Sequence, residues 1–267
     1  MRQLELVFLL AFFFSCSSPD VKSPAGKDST APAGSMTGRP AFMTLDTLLP
    51  FRGVWVNSLY VDAIRKTRSP RLSQNVTDKS FFIIPERTLQ HIEVVYGFHE
   101  GGEGMVVVKD GAHFKLYLSD LSKFVNEMTP VSGDLLRIGD QSFVRLSHPD
   151  SMLYDQGILE ELLFAGKYAD PQGKSVSFGA DGRVAGLDTL TYFSPQCDYT
   201  EDAEDFETVF MGRRPGIENM TKYGYRFDGD SLIFYRLNQY HYDTVAKEYD
   251  LVSLGDRLQS LVRVRVR

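Results

Sequence analysis

From Ala41 onward, apolar and polar residues alternate or gather into short apolar runs broken by turn residues. Breaks about every eight to twelve residues are the pattern of a sandwich or barrel built from half-buried strands. Phe81–Ile84, His91–Tyr96, Met105–Val108 and Phe114–Leu118 read as strands in the first half. Val176–Phe178, Val184–Leu187, Tyr223–Phe227 and Leu232–Tyr235 repeat the scheme in the second. Lys109-Asp110-Gly111-Ala112 reads as a tight hairpin, since Asp tolerates and Gly prefers the positive φ such a turn needs. Asp181-Gly182 and Asp228-Gly229 repeat the device. The last run, Val262 to Arg267, alternates strictly, and its valines are expected to face a core and its arginines water. The functional alternative is a cationic stripe for an anionic ligand.

Helix is scarce. Its best case follows Trp55, where Asn57 or Ser58 caps and Leu59, Tyr60, Ala63 and Ile64 share one face. Arg65, Lys66 and Arg68 suit its C-terminal end, and Pro70 stops it. Residues Ile158–Leu163 fit a helical turn or two, with a strand running into Phe164 as the alternative.

The N-terminus has a different texture. Arg2 precedes an apolar run, Leu6 to Phe14, and then Ser15-Cys16-Ser17-Ser18. The run is too short to cross a bilayer, which takes about 20 apolar residues. A basic start, a brief apolar core and a small residue before a cysteine resemble a bacterial lipoprotein signal peptide. The match is good at Ser15 and Cys16 and looser at Phe13 and Phe14. The resemblance implies removal of residues 1–15, a lipidated Cys16 and attachment to a membrane of the cell envelope. Residues 16–40, rich in Ser, Pro, Gly, Ala and Thr, bury too little surface to fold. Such a tether holds the domain on the order of 25 Å from the membrane. No acidic or lysine-rich run follows Cys16, which favours an outer-membrane lipoprotein facing the periplasm. The domain itself is expected to span 41–267, with halves at 41–150 and 151–267.

The net charge of −6 excludes the basic stripe of a nucleic-acid binder. With Cys16 lipidated, Cys197 has no disulfide partner and reads as a small, partly buried residue. No Gly-x-Ser-x-Gly elbow, Walker loop or Cys-x-x-Cys pair occurs. The glycine-rich stretch Gly97–Gly104 reads as a flexible hairpin loop, because no helix follows it to hold a phosphate. His91, His99 and His113 with Glu100 or Glu103 are a conceivable zinc set across neighbouring strands. Exposed or hydrogen-bonded imidazoles, His148 and His241 included, are the expectation, so no metal and no cofactor is assigned. The acidic run Asp198–Glu207 lacks the EF-hand spacing and reads as a solvated loop. Six Asp-Ser/Thr tripeptides resemble an O-glycosylation acceptor of exported Bacteroidota proteins; Asp28-Ser29-Thr30, in the tether, is the most accessible. The same pairs also favour turns.

Two segments open alike: Phe51-Arg52-Gly53-Val54-Trp55 and Phe164-Ala165-Gly166-Lys167-Tyr168. Each half closes on a similar pair. Gly133-Asp134-Leu135 leads to Phe143-Val144-Arg145-Leu146, and Gly229-Asp230-Ser231 leads to Tyr235-Arg236-Leu237. Gly-x-Trp on a first strand resembles the lipocalin opening. Gly166-Lys167-Tyr168, Val176-Ser177-Phe178 and Asp181 to Gly186 resemble the lipocalin-like lipoproteins of Bacteroidota, as does Tyr60 to Ile64 followed by Thr67-Arg68-Ser69-Pro70. The resemblance spans roughly residues 48–267 and implies an all-β fold of antiparallel lipocalin-like barrel type, with a short helix after the first strand. The paired openings suggest an internal duplication. Two barrels in tandem or one larger closed sheet both fit, and the lack of a linker favours one continuous unit. The resemblance also implies a small apolar or amphipathic ligand in an aromatic-lined lumen. Trp55, Tyr60, Ile64, Tyr168, Tyr192 and Tyr225 are the candidate contacts, with the Tyr60–Ile64 helix as a lid. A filled barrel serving as an interaction module is the alternative, and an envelope glycan or lipid hydrolase the third.

Overall fold

The computed structural model describes residues 48–84, 91–98, 101–111, 113–146, 157–199, 205–243 and 248–265. Cys16, the tether, His99, Glu100, His148 and residues 200–204 of the acidic run lie outside the described residues. The first half forms β1 (Gly53–Asn57), β2 (Phe81–Ile84), β3 (His91–Gly97), β4 (Gly101–Asp110), β5 (His113–Leu118), β6 (Phe124–Ser132), β7 (Leu135–Ile138) and β8 (Gln141–Arg145). Each strand pairs antiparallel with the next, and β8 returns to β1 through Trp55–Arg145 and Val56–Val144, so the sheet closes. The second half forms β9 (Gly166–Ala169), β10 (Ser175–Phe178), β11 (Arg183–Leu187), β12 (Leu190–Pro195), β13 (Glu207–Gly212), β14 (Met220–Asp228), β15 (Ser231–Asp243) and β16 (Glu248–Arg263). Here β16 returns to β9. The lack of a linker favours one large sheet, but the chain closes twice. Among the described residues no strand of one half pairs with a strand of the other. The fold is all-β and lipocalin-like, with two eight-stranded barrels.

The two closures use the same chemistry. A turn precedes each first strand and ends in Phe51 or Phe164. A glycine at positive φ then follows, Gly53 at 126° and Gly166 at 149°, a region that side chains rarely enter. The Trp55 indole N–H donates to the Phe51 carbonyl at 2.8 Å, and the Tyr168 hydroxyl donates to the Phe164 carbonyl at 2.9 Å. An arginine on the last strand covers each ring. Arg145 lies 4.9 Å from the Trp55 ring centre, and Arg263 lies 5.2 Å from that of Tyr168. Each guanidinium also donates to the carbonyl just before the phenylalanine, Pro50 at 2.6 Å and Leu163 at 2.7 Å. Backbone bonds match too: Arg145 to Asp134 and Arg263 to Asp230, Leu146 to Val54 and Val264 to Lys167. The counterpart of Phe143-Val144-Arg145 is therefore Leu261-Val262-Arg263, not Tyr235-Arg236-Leu237. The long β15–β16 hairpin lies between them and hides the correspondence.

This clamp also reverses the expected facing of the last strand. Leu261 pairs with Leu232 in the interior, and Arg263 pairs with Tyr168. Val262 and Val264 are consequently 52% and 48% exposed. The alternation is real and its phase is opposite, because the ring of Tyr168 needs its cation on the inner side.

Barrel 1 is filled by Trp55, Phe82, Ile92, Val94, Met105, Met128, Leu136 and Phe143, among others. Phe82 stacks on Trp55 and meets Phe143 edge-on. Barrel 2 is filled around Phe164, whose ring touches Phe178, Phe193, Tyr225 and Phe227. The outward residues Val54, Val56, Phe81 and Val95 of barrel 1 belong to this second cluster. All five residues of β1 are buried as a result.

Between β1 and β2 lie two helices, α1 (Ser58–Thr67) and α2 (Pro70–Ser73). Asn57 caps α1 by accepting from the Leu59 N–H at 2.9 Å. Tyr60, Val61 and Ile64 are buried, whereas Leu59, expected on the same face, is exposed. The helix is wedged between barrel 1 and the π-helical turn Glu160–Phe164, in the layer between the halves. The stretch read as a flexible loop is in part strand: Gly101–Gly104 open β4. A Cβ at Gly102 would stand 3.0 Å from the Val94 carbonyl, so a larger residue there would have to push its neighbour aside by a few tenths of an ångström.

Arg263→Met removes the charge-assisted bonds to Tyr168 and Leu163. It is expected to cost about 1.5–3 kcal/mol in urea denaturation, while Arg257→Met, at an exposed position of β16, changes little.

Candidate functional site

Five of the six candidate contacts, Trp55, Tyr60, Ile64, Tyr168 and Tyr225, are almost fully buried in packed cores. Trp55 and Tyr168 serve the closing clamps. Tyr60 and Ile64 belong to the junction layer, with Tyr60 against Phe98. Tyr192 is half-buried and lines an open groove of about 520 Å³ with Ser177, Gly179, Arg183 and Arg213 on barrel 2. Tyr225 lies elsewhere, in the wall of a 380 Å³ cavity between the α1–α2 corner and barrel 2.

This cavity lies where the helical insertion of barrel 1 meets barrel 2 and its lengthened hairpin. Barrel 1 contributes its inserted helical corner: Thr67, Arg68, Ser69, Arg71 and Leu72. Barrel 2 has no helix between its first two strands, β9 and β10. It contributes Asp205, Phe206, Glu207, Tyr225, Arg226 and Phe227, together with Leu254 from the long hairpin. In barrel 1 the matching hairpin strands, β7 and β8, have four and five residues; β15 and β16 have thirteen and sixteen.

The corner itself is locally determined. Arg68 ends α1, its backbone N–H donating to the Ile64 carbonyl at 2.7 Å. Its φ of 53° and ψ of 31° are left-handed, which costs a non-glycine residue roughly 1–2 kcal/mol. Glycine is the common residue at such a position. Ser69 then caps α2, accepting from the Leu72 N–H at 3.1 Å, with Pro70 at the first helical position.

Side chains from the corner bind barrel 2 directly. The Arg68 guanidinium donates to the Gly229 carbonyl and stands 5.6 Å from the Phe227 ring centre. The Arg71 Nη2 donates to the Asp205 carbonyl at 2.9 Å. The Ser69 hydroxyl donates to Glu207 Oε1, and the Arg71 backbone N–H reaches Oε2 at 3.5 Å. Tyr199 also donates to Glu207, while its oxygen accepts from the Thr208 N–H at 2.9 Å.

Glu207 is the residue that the acidic run concealed. Expected in a solvated loop, it opens β13, is 9% exposed and accepts three protein hydrogen bonds. Burial raises its carboxyl above the ordinary range, against the lowering effect of Ser69, Tyr199 and Arg71. Burial likewise pushes the phenols of Tyr199 and Tyr225 well above 10. The Tyr225 hydroxyl and the Arg71 Nε–H are buried without a hydrogen-bond partner among the described residues, an arrangement that costs about 1–3 kcal/mol for each group. Both are donors. A spacing argument had no means of finding Arg68, Arg71 or Glu207, since they meet only when the halves dock.

His91 and His113 sit on β3 and β5, with β4 between them. Among the described residues no three His, Cys, Asp or Glu side chains converge as metal ligands. Cys197 is buried, at 6% exposure. Compared with family models, curated proteins and solved structures, the chain matches none of them.

Because the folded-state pKa of Glu207 lies above its ordinary value of 4.5, its contribution to stability is full below that value and is lost as pH rises through the folded-state value. Glu207→Gln has no such titration. The melting temperature of the wild type minus that of the variant is therefore expected to fall as pH rises above the ordinary carboxylate range, as read by thermal denaturation at a series of pH values.

Proposed function

We propose that this chain is a lipid-anchored protein of the cell envelope, on the periplasmic side of the outer membrane, that binds a small amphipathic ligand between its two barrels. The observation that carries the binding role is the convergence of both insertions on one cavity of 380 Å³. Small-molecule pockets run from about 300 to 1,000 Å³ and combine an apolar lining with a few placed polar groups. Phe206, Phe227, Leu72 and Leu254 provide the apolar lining here, and Arg68, Arg71 and Glu207 the polar groups. The aromatic residues of the lumens are engaged with one another, so the reading places the ligand at the junction.

The anchor rests on the apolar run before Ser15-Cys16 and on the Ser/Pro-rich residues after it. No helix among the described residues is long and apolar enough to cross a membrane. A second reading, an interaction module, is favoured by the exposed apolar row Leu258, Val262 and Val264 on the outside of β16. Hydrolysis is not proposed: glycoside cleavage takes two carboxylates facing the substrate, and both Glu207 oxygens already accept protein donors.

Two measurements test this. Cys16→Ser is expected to move the protein from the membrane fraction to the soluble fraction on cell lysis; unchanged membrane attachment counts against the anchor. Solvent extraction of the purified full chain, followed by mass spectrometry, is expected to release one class of small amphipath in roughly stoichiometric amount. Leu254→Trp, which narrows the cavity, should lower that yield. An extract without ligand, together with capture of a protein partner that Val262→Asp abolishes, favours the interaction module.

A further inference from the structure

We propose that the junction cavity selects an anionic head group on a short apolar body, with Arg68 and Arg71 as the head-group contacts. This rests on the binding role proposed above and adds the ligand's chemistry.

The first ground is charge. Three arginines line the cavity, Arg68, Arg71 and Arg226, against two acidic residues, Asp205 and Glu207. Glu207 is committed to Ser69, Tyr199 and the Arg71 backbone. Asp205 is exposed, and its backbone carbonyl, rather than its side chain, takes the Arg71 bond. The cavity wall therefore carries surplus positive charge.

The second ground is hydrogen-bond polarity. The Arg71 Nε–H has no partner among the described residues, and the same holds for the hydroxyl of Tyr225 in the same wall. A guanidinium only donates, so its natural complement is an acceptor, and a carboxylate or phosphate oxygen is the strongest available. The opposite wall is apolar, formed by Phe206, Phe227 and Leu254, which suits a hydrocarbon or aromatic body. A volume of 380 Å³ lies at the small end of ligand pockets and favours a short chain over a whole membrane lipid.

The third ground is backbone strain. Arg68 holds a left-handed conformation where glycine would relax the chain. Strain of this kind persists where the side chain is needed. Arg68 also reaches the Gly229 carbonyl and the Phe227 ring, so a purely structural role as a staple between the halves is the competing explanation. The two differ in what Arg68→Gly does. That variant removes the guanidinium and relieves the backbone at once.

The test uses the full-length lipidated chain, freed of endogenous ligand and held in lipid nanodiscs, with empty nanodiscs as the blank. Octanoate, octanamide, octanol and acetate are titrated by calorimetry. Octanoate is expected to bind at least about tenfold more tightly than octanamide or octanol, one charge-assisted contact being worth about that much. Acetate is expected to bind weakly, lacking the apolar body. Arg68→Gly should keep the melting temperature yet weaken octanoate about tenfold. Arg71→Leu should weaken octanoate with octanol unaffected, and Arg71→Lys should restore part of the loss. Equal binding of octanoate, octanamide and octanol overturns the anionic preference and leaves the binding role standing. Acetate as tight as octanoate overturns the amphipath. Arg68→Gly that melts much earlier but binds octanoate as the wild type does makes Arg68 a staple only. If none of the four binds while the extract still yields a stoichiometric ligand, this head-group assignment fails; if the extract is also empty, the binding role fails with it.

Discussion

The arrangement of the whole molecule depends on one apolar wall. On β1, β2 and β3 the outward positions of barrel 1 hold Val54, Val56, Phe81 and Val95, all buried. Left in water, each large apolar side chain would forfeit about 1.5–3 kcal/mol of burial. That is a large fraction of a domain's net stability, so the wall needs a cover. The cover is α1 and the core around Phe164, which join these residues in one cluster with the interior of barrel 2. Docking the halves in this way sets the α1–α2 corner against barrel 2. The contacts from Arg68, Ser69 and Arg71 to Gly229, Glu207 and Asp205 follow from that placement.

The two barrels close by one device in two chemical versions. In barrel 1 the indole N–H donates and the Arg145 guanidinium stacks. In barrel 2 the phenol donates to Phe164 and also accepts from Arg263, at 2.7 and 3.2 Å. An indole N–H has no acceptor to offer, so replacing Trp by Tyr adds a link between the first and last strands. Burial raises the Tyr168 phenol, and the arginine opposes the shift; the group stays neutral and able to donate at physiological pH. The matching turns, glycines, carbonyl partners and backbone bonds are what an internal duplication predicts. The inserted helices and the lengthened hairpin are where the copies have diverged.

Much of this was legible in the chain. Strand positions followed from period-two alternation, and the tight turns from Asp-Gly pairs, because both are local properties of the backbone. The paired openings at Phe51 and Phe164 were visible for the same reason. Double closure was not, since it depends on which strands meet at the seam, and seams join residues some ninety apart, such as Trp55 and Arg145 or Tyr168 and Arg263. The phase of β16 was missed because alternation reports two faces without saying which is inside; the Tyr168–Arg263 clamp decides that. The site was the least legible part. Arg68 read as a helix-terminal cation and Glu207 as one acid among many, and only tertiary docking gives either its neighbours. Leu59 failed for a related reason: the face of α1 that is covered is set by the halves' contact and centres on Tyr60, Val61 and Ile64.

Each barrel is occupied by its own chain. Phe164 stands among four rings in one, and Phe51 packs edge-on to Phe114 in the other. A lipocalin-like fold that fills its lumens with a plug at each opening gains core stability there, and the cavity at the α1–α2 corner lies outside both lumens. A junction site has a thermodynamic consequence that a lumen site lacks. A ligand held by Arg68 and Arg71 on one side and by Phe227 on the other binds only the docked pair, so its binding free energy adds to the cohesion of the halves. On the proposed function, an anionic ligand offers an acceptor to the Arg71 Nε–H and the Tyr225 hydroxyl, which have no partner among the described residues. On that reading, the left-handed arginine and the Arg71 Nε–H, unpartnered among the described residues, have one common cause: both guanidinium groups are held for the acceptor atoms of an anionic ligand.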